Sequence, residues 1–268
     1  MNYLDLFLSQ YISECTKKTY HYVLTRLFNS INKPVDKITK LDLLKYKATL
    51  KEYAFSTQAQ TIAIIKSYFK FLVQNEILSI NPAETLKAPP SVNKPKDYIS
   101  REEALELMNF ANTREKAILA VYLSTGIRVS ELINLKLKDY LYNNEQIYIE
   151  VKGGKYRTLI FNKDCQNYIN EYLKERKEGC DNLFVSNQGT PMAANSLNKT
   201  WKKLAKKANI NKNITNHTFR STFITMIACE YDITMAQIAV GHNNIQTTRK
   251  YIRGLEEEAK QIMKNITL

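Results

Sequence analysis

Histidine is scarce in this sequence: among 268 residues there are three, His21, His217 and His242. None forms an H-E-x-x-H pattern, which removes the usual helical zinc site. The four cysteines, Cys15, Cys165, Cys180 and Cys229, are scattered without a C-x-x-C pair. Neither a zinc cluster nor a disulfide framework is therefore expected, and reduced thiols fit their spacing better. A P-loop and a G-x-G-x-x-G fingerprint are also missing, so the chemistry is expected to run with no nucleotide, metal or other cofactor. No run of about 18 apolar residues offers to span a bilayer, and the N-terminus lacks the basic-then-apolar layout of a secretory signal. The expectation is a soluble, cytoplasmic protein without a membrane partner.

Acidic residues are in deficit, 26 against 39 Lys and Arg, for a net charge of +13 and a pI near 9.4. A polyanionic partner follows, with nucleic acid first. The excess is shared: 12 basic against 7 acidic residues up to Pro90, and 27 against 19 beyond it. Two basic bodies fit this better than a basic tail on a neutral domain. A hydrophobic content of 44% can supply a core for each.

The first 87 residues read as four helices. Leu4, Phe7, Leu8 and Tyr11 recur at helical spacing, and Tyr20, Val23, Leu24, Leu27, Phe28 and Ile31 do so more strongly. Thr39 with Asp42 resembles a capping box and opens a helix with Leu43, Leu44 and Leu50; a fourth holds Ile62, Ile65, Phe69 and Leu72. Three prolines then interrupt residues 88–97 and mark a linker. Ser100 and Glu103 form a second capping pair and start a domain at about residue 98.

Within this second domain a single strand pair stands out, 147–151 with 157–161, joined through 152–156, where Gly153 and Gly154 permit a hairpin turn. Segments 101–112, 114–125, 163–177, 195–209, 217–230 and 244–253 look helical. The fold class expected is mostly α in two domains: a four-helix bundle over 1–87, then an α-rich domain over 98–268 with a small antiparallel sheet.

Several polar residues draw interest through their order along the chain. Arg128 follows a helix-ending Gly126 and lies beside Glu131, which could orient it; taken alone this is a surface ion pair. Lys152 lies on the hairpin, where a lysine is usually a solvated charge, and Lys155 is an equal candidate by charge. His217 and Arg220 stand at i and i+3, so on a helix they share a face and offer two donors to a phosphate. Gly241-His242 comes next and Tyr251 last.

The ordered strings T-G-I-R-V-S-E-L, V-K-G-G-K-Y-R, H-T-F-R, G-H and the terminal Tyr251 resemble the tyrosine recombinase family, also called phage integrases, and most closely its short Xer-like members. That resemblance implies a site-specific DNA recombinase working through a 3′-phosphotyrosine. In it Arg128 and Arg220 clamp the scissile phosphate, Lys152 protonates the leaving 5′-oxygen, His217 is an acid/base, His242 supports the phosphate and Tyr251 is the nucleophile. It also implies that residues 1–87 form a core-binding DNA-binding domain and 98–268 the catalytic domain. The partner would be double-stranded DNA with a specific recombination site, gripped by a homotetramer. Departures are Phe219 where the family commonly has leucine, Ser221 where it has histidine, and Val240 before Gly241-His242.

The residue types suit that chemistry. Two guanidiniums meet the charge on nonbridging oxygens with forked hydrogen bonds. A phenol with a free pKa of about 10 needs a cationic pocket or a base to attack at neutral pH. A lysine among cations, its pKa lowered, can protonate a leaving alkoxide. For DNA grip the candidates are Lys155, Arg157, Lys199, Lys202, Lys203 and Lys206, with Lys207 beside them and Lys17, Lys18, Arg26, Lys45, Lys47, Lys66 and Lys70 in the first domain. A final helix with Leu255, Ala259, Ile262 and Ile266 carries an apolar stripe expected to dock on its own domain or on a neighbouring protomer. The rival readings are a type IB topoisomerase-like nicking-closing enzyme and a non-catalytic DNA-binding relative.

Overall fold

The computed structural model describes residues 3–90, 97–151, 154–241 and Thr248, with only the main chain of Lys155. The chain separates into two compact units, Met1–Asn93 and Lys94–Leu268. The described residues are mostly helical with one two-stranded antiparallel sheet, the fold class the sequence suggests. Among them no helix is long and apolar enough to cross a membrane.

The first unit holds α1 (Tyr3–Ser9), α2 (Glu14–Ile31), α3 (Lys40–Thr49) and α4 (Phe55–Gln74). Ser13 caps α2 by accepting from the Thr16 N–H, and Asn32 closes it in the left-handed conformation. Thr39 and Asp42 make the capping box reciprocally, with Lys33 Nζ on the Asp42 carboxylate at 2.8 Å. That lysine, followed by the Thr39 N–H, holds the Asp42 carboxyl down at about 2. Leu43 and Leu50 are buried as the spacing predicts, whereas Leu44 is exposed. Tyr46 takes its place in the core, because 43, 46 and 50 share one helical face and 44 turns off it.

The second unit runs α5 (Arg101–Phe110), α6 (Thr113–Thr125), α7 (Val129–Leu132), α8 (Leu137–Tyr142), β1 (Gln146–Val151), β2 (Lys155–Ile160), α9 (Lys163–Glu175), α10 (Ala194–Lys207), α11 (Asn216–Glu230) and α12 (Ile233–Val240). Capping boxes start α5 at Ser100 and α6 at Asn112. Helix α6 is buried along all of Ala117–Tyr122 and packs against α9 and α11, so it forms the axis of this core. Tyr122, Trp201 and Phe219 meet there, the first and last stacked at 5.4 Å between ring centroids.

The hairpin departs from the expected connection. Val151 faces Lys155, so Lys155 and Tyr156 belong to β2, and Gly154 just before them has a φ of +69°. Ile147 and Leu159 point into the core, Arg157 points the same way, and Tyr148, Tyr156 and Ile160 are exposed on the other face. The expected helix over 244–253 lies outside the described residues apart from Thr248, which is buried; the tail stripe from Leu255 to Ile266 also lies outside them.

In the first unit Tyr68 meets Phe7, Phe28 and Phe69 edge-on, at 5.2 Å from the Phe7 centroid. Burial pushes its hydroxyl up from 10 to about 12, with Tyr3 adding to the rise. A phenol harder to ionise folded than unfolded contributes stability that is full below pH 10 and is lost as the pH climbs through about 12. Tyr68→Phe keeps the ring and removes the titration. Its thermal midpoint is expected to fall less steeply than the wild type's across that alkaline window.

Candidate active site

Helix α6 stops at Gly126, whose φ of +56° is left-handed and where an added Cβ would land in the Phe223 ring. Glycine is thus required there for conformation and for space. Ile127 is buried and anchors the turn, and Arg128 follows as the N-cap of α7. The Glu131 carboxylate accepts from Arg128 Nη1 at 2.7 Å and from the Arg128 main-chain N–H at 2.9 Å. Glu131 is only 8% exposed while Arg128 keeps 39% of its side-chain surface, so the acid fixes a guanidinium that still faces solvent.

Helix α11 brings the second arginine. Its start is anchored by Asn216, whose Oδ1 accepts from Trp201 Nε1 at 2.7 Å and from the Tyr122 hydroxyl at 3.2 Å. The Asn216 N–H and Nδ2 donate to Asn198 Oδ1 and the Ala194 carbonyl, so a buried amide is satisfied on both sides. His217 is exposed in the first turn and Arg220, one turn on, is 2% exposed. The shared face expected of these two is therefore split by depth, because α11 enters the core within one turn of its N-terminus. Arg220 Nη1 donates to the Gly126 carbonyl, and Nη2 donates to the Val240 carbonyl at 3.0 Å.

Helix α12 supplies the third wall. Asp232 caps its start, accepting from the Thr234 and Met235 N–H groups. It ends at Gly241 in the left-handed region, φ +62°. The structure thus brings together the Arg128 turn, Arg220 and the Val240-Gly241 end of α12, three segments far apart in sequence. Lys152, His242 and Tyr251 lie outside the described residues, as does the Lys155 side chain.

The expected DNA contacts divide. Lys199, Lys202, Lys203 and Lys206 are exposed on α10 opposite the buried Trp201 and Leu204. Arg157 turns the other way: it is 8% exposed and donates inward to the Val240 carbonyl at 2.9 Å and the Thr125 carbonyl at 3.2 Å. Its parity on β2 is that of the buried Leu159, which turns it away from solvent. In the first unit Lys17 pairs with Glu14 at 2.7 Å and Arg26 lies over the Tyr53 ring at 4.7 Å. Lys66 reaches the Leu86 carbonyl at 3.4 Å, so all three are engaged locally.

Residues 97–258 match the family model described as Phage integrase family. The chain is 33% identical over 265 residues to a tyrosine recombinase XerA of Pyrococcus horikoshii, covering 93% of this chain and 89% of that one. It is 30% identical over 231 residues to a tyrosine recombinase XerD of Oceanobacillus iheyensis, covering 81% and 78%. Among solved structures it resembles XerH site-specific recombinase bound to a palindromic difH substrate, with a TM-score of 0.78 at 22% identity over 94% of this chain and 80% of that one.

Gly126 and Gly154 both have positive φ, but a Cβ at Gly154 meets nothing within 4 Å. Gly126→Ala is expected to lower the unfolding free energy by about 1–3 kcal/mol more than Gly154→Ala. Urea unfolding of the two variants measures the difference, and equal losses would mean that the Phe223 contact does not constrain this turn.

Proposed function

Because the chain belongs to the phage integrase family and is a tyrosine site-specific recombinase, we propose that it cleaves and rejoins double-stranded DNA at a specific recombination site through a covalent 3′-phosphotyrosine. The observation that carries this reading is the hydrogen bond from Arg220 to the Gly126 carbonyl. It ties one guanidinium to the turn that presents the other, Arg128, as a phosphate clamp requires.

In the proposed reaction the Tyr251 hydroxyl oxygen attacks the scissile phosphorus, forming a P–O(Tyr) bond as the P–O5′ bond breaks. Arg128 and Arg220 bind the nonbridging oxygens, with His242 supporting the phosphate. His217 takes the phenolic proton, and Lys152 gives a proton to the departing 5′-oxygen. Attack by a 5′-hydroxyl on the phosphotyrosine reverses these steps. One phosphodiester is exchanged for another, so the cycle consumes no nucleotide and its charge stabilisation comes from arginine rather than metal. Arg220 is fixed by main-chain acceptors before any DNA arrives, which limits the reorganisation left to the reaction.

Residues 1–87 serve in this reading as a core-binding domain on the DNA, 88–97 as the linker and 98–268 as the catalytic domain. Lys199, Lys202, Lys203 and Lys206, with Lys155, contact phosphates near the cleavage point. Four protomers assemble on two sites, and the stripe Leu255, Ala259, Ile262 and Ile266 docks on a neighbour.

Nicked suicide duplexes, recovered by binding selection from a random-sequence pool, test the chemistry because the fragment beyond the nick diffuses away and traps the adduct. The wild-type chain is expected to give a denaturant-stable protein–DNA adduct and Tyr251→Phe none; an adduct that persists in Tyr251→Phe rejects the assignment. Truncation after Gly254 is expected to spare binding to one site and abolish pairing of two sites in native gels. Intact pairing would remove the tail from the assembly.

A further inference from the structure

Two guanidiniums share one acceptor in this fold. Arg157 Nη1 and Arg220 Nη2 donate to the same Val240 carbonyl, at 2.9 and 3.0 Å. Their other terminal nitrogens reach adjacent carbonyls at the end of α6: Arg157 Nη2 bonds Thr125 at 3.2 Å, and Arg220 Nη1 bonds Gly126. All these acceptors lie at helix C-termini, where the last carbonyls lack intrahelical donors and carry partial negative charge. The two arginines therefore bridge the end of α6 to the end of α12 side by side. The Arg157 stem also abuts the turn beyond: a Cβ built on Gly241 would lie 3.2 Å from Arg157 Cδ.

Arg157 enters this arrangement from β2, and both of its hydrogen bonds named here go to the main chain. Its Nε is buried without a partner among the described residues. Burial pulls its pKa below the ordinary guanidinium value and the nearby charge of Arg128 adds to that, while Glu131 opposes. Two cations within reach of one oxygen repel, and a buried group with an unmet donor costs stability. Such a placement makes little sense as DNA grip, since the side chain faces the core. It makes sense as a brace that fixes the lateral position of Arg220 and the exit of α12.

We infer that Arg157 is a positioning residue for the phosphate site, setting Arg220 and the Gly241 turn through the shared Val240 carbonyl rather than touching DNA. The inference rests on the proposed role of Arg220. Lysine cannot replace it: a single ammonium on a shorter stem cannot span Val240 and Thr125 as a planar fork does. Without the fork, Arg220 is left as the only one of the two arginines holding Val240, the Thr125 carbonyl loses its donor, and the α6–α12 junction can shift.

The test compares wild type, Arg157→Lys and Arg157→Met with Tyr172→Phe, a stability control that removes the hydroxyl accepting the Val185 N–H at 3.1 Å on the far side of the unit. Thermal midpoints, affinity for the selected duplex and the single-turnover rate of adduct formation on its nicked form are measured below all four midpoints. The expected result is adduct formation slowed about ten- to a hundredfold in both Arg157 variants. Affinity should stay within about twofold of wild type, because no phosphate contact is lost. A 5′-bridging phosphorothiolate, whose thiolate leaves without a proton, is expected to leave the slowing in place because the defect lies in the phosphate clamp. Cleavage at the wild-type rate overturns the inference, as does slowing no greater than in Tyr172→Phe. A parallel loss of affinity would make Arg157 a DNA contact, and full rescue by the phosphorothiolate would place it behind the leaving-group acid; either overturns it. If the wild-type chain itself forms no adduct, the reading of the site falls and the inference with it.

Discussion

A guanidinium taken out of water must find acceptors for its donors, and a helix that ends inside a protein must find donors for its last carbonyls. In the second unit these two requirements answer each other. Arg220, 2% exposed, donates to the carbonyls of Gly126 and Val240, which close α6 and α12. Both helices can stop there because glycine follows in the left-handed conformation, at Gly126 for α6 and at Gly241 for α12. The Arg128 turn begins two residues after Gly126, so its position is inherited from the same bond. Apolar packing of Phe223 and Ile224 against Ala236 and Val240 brings α11 and α12 together, and the Arg220 bonds add direction by fixing which carbonyls face each other.

The core behind this junction keeps α11 at the right depth. Asn216 gathers the Trp201 indole, the Tyr122 hydroxyl and the Ala194 carbonyl of α10 into one satisfied buried amide. Phe219 then stacks on Tyr122 from the following turn. A helix pinned by hydrogen bonds at its first residue and by an aromatic stack one turn later has little freedom to rotate. That leaves His217 at the surface and Arg220 inside, although their spacing alone put them on one face.

What could be read from the sequence was mostly what repeats. The helices of the first unit announce themselves through apolar spacing, and the Thr39–Asp42 and Ser100–Glu103 boxes through residue type at fixed offset. The same offset recurs at Asn112 and Glu115, where asparagine caps as well as serine does. Helices α7, α8 and α12 are four, six and eight residues long, too short for a period to register. Arg128 with Glu131 was legible because the pair is local. Arg157 reads as a DNA contact from its sign among the lysines around the hairpin; the signal that it points inward is the parity of Leu159, two residues on. Asn216 gave no signal, since its partners on α6 and α10 are brought to it only by the fold.

The choice of acceptor also decides how much positive charge the site keeps. Arg128 has Glu131 at 2.7 Å, which orients it and offsets part of its field. Arg157 bonds main-chain carbonyls instead, and so does Arg220 through the two bonds that join α6 to α12. A carbonyl satisfies a donor with a dipole and contributes no net charge, so these bonds fix a guanidinium without themselves adding an opposing charge. A carboxylate in the same position would hold the guanidinium as firmly and cancel the attraction that a phosphate must feel. In the proposed reaction the charge to be stabilised appears on phosphate oxygens, and bonds to helix ends place arginine there without the bonds themselves opposing its charge, at a cost in desolvation. The helix termini, usually treated as a problem of capping, here become the means of keeping a charged side chain ordered.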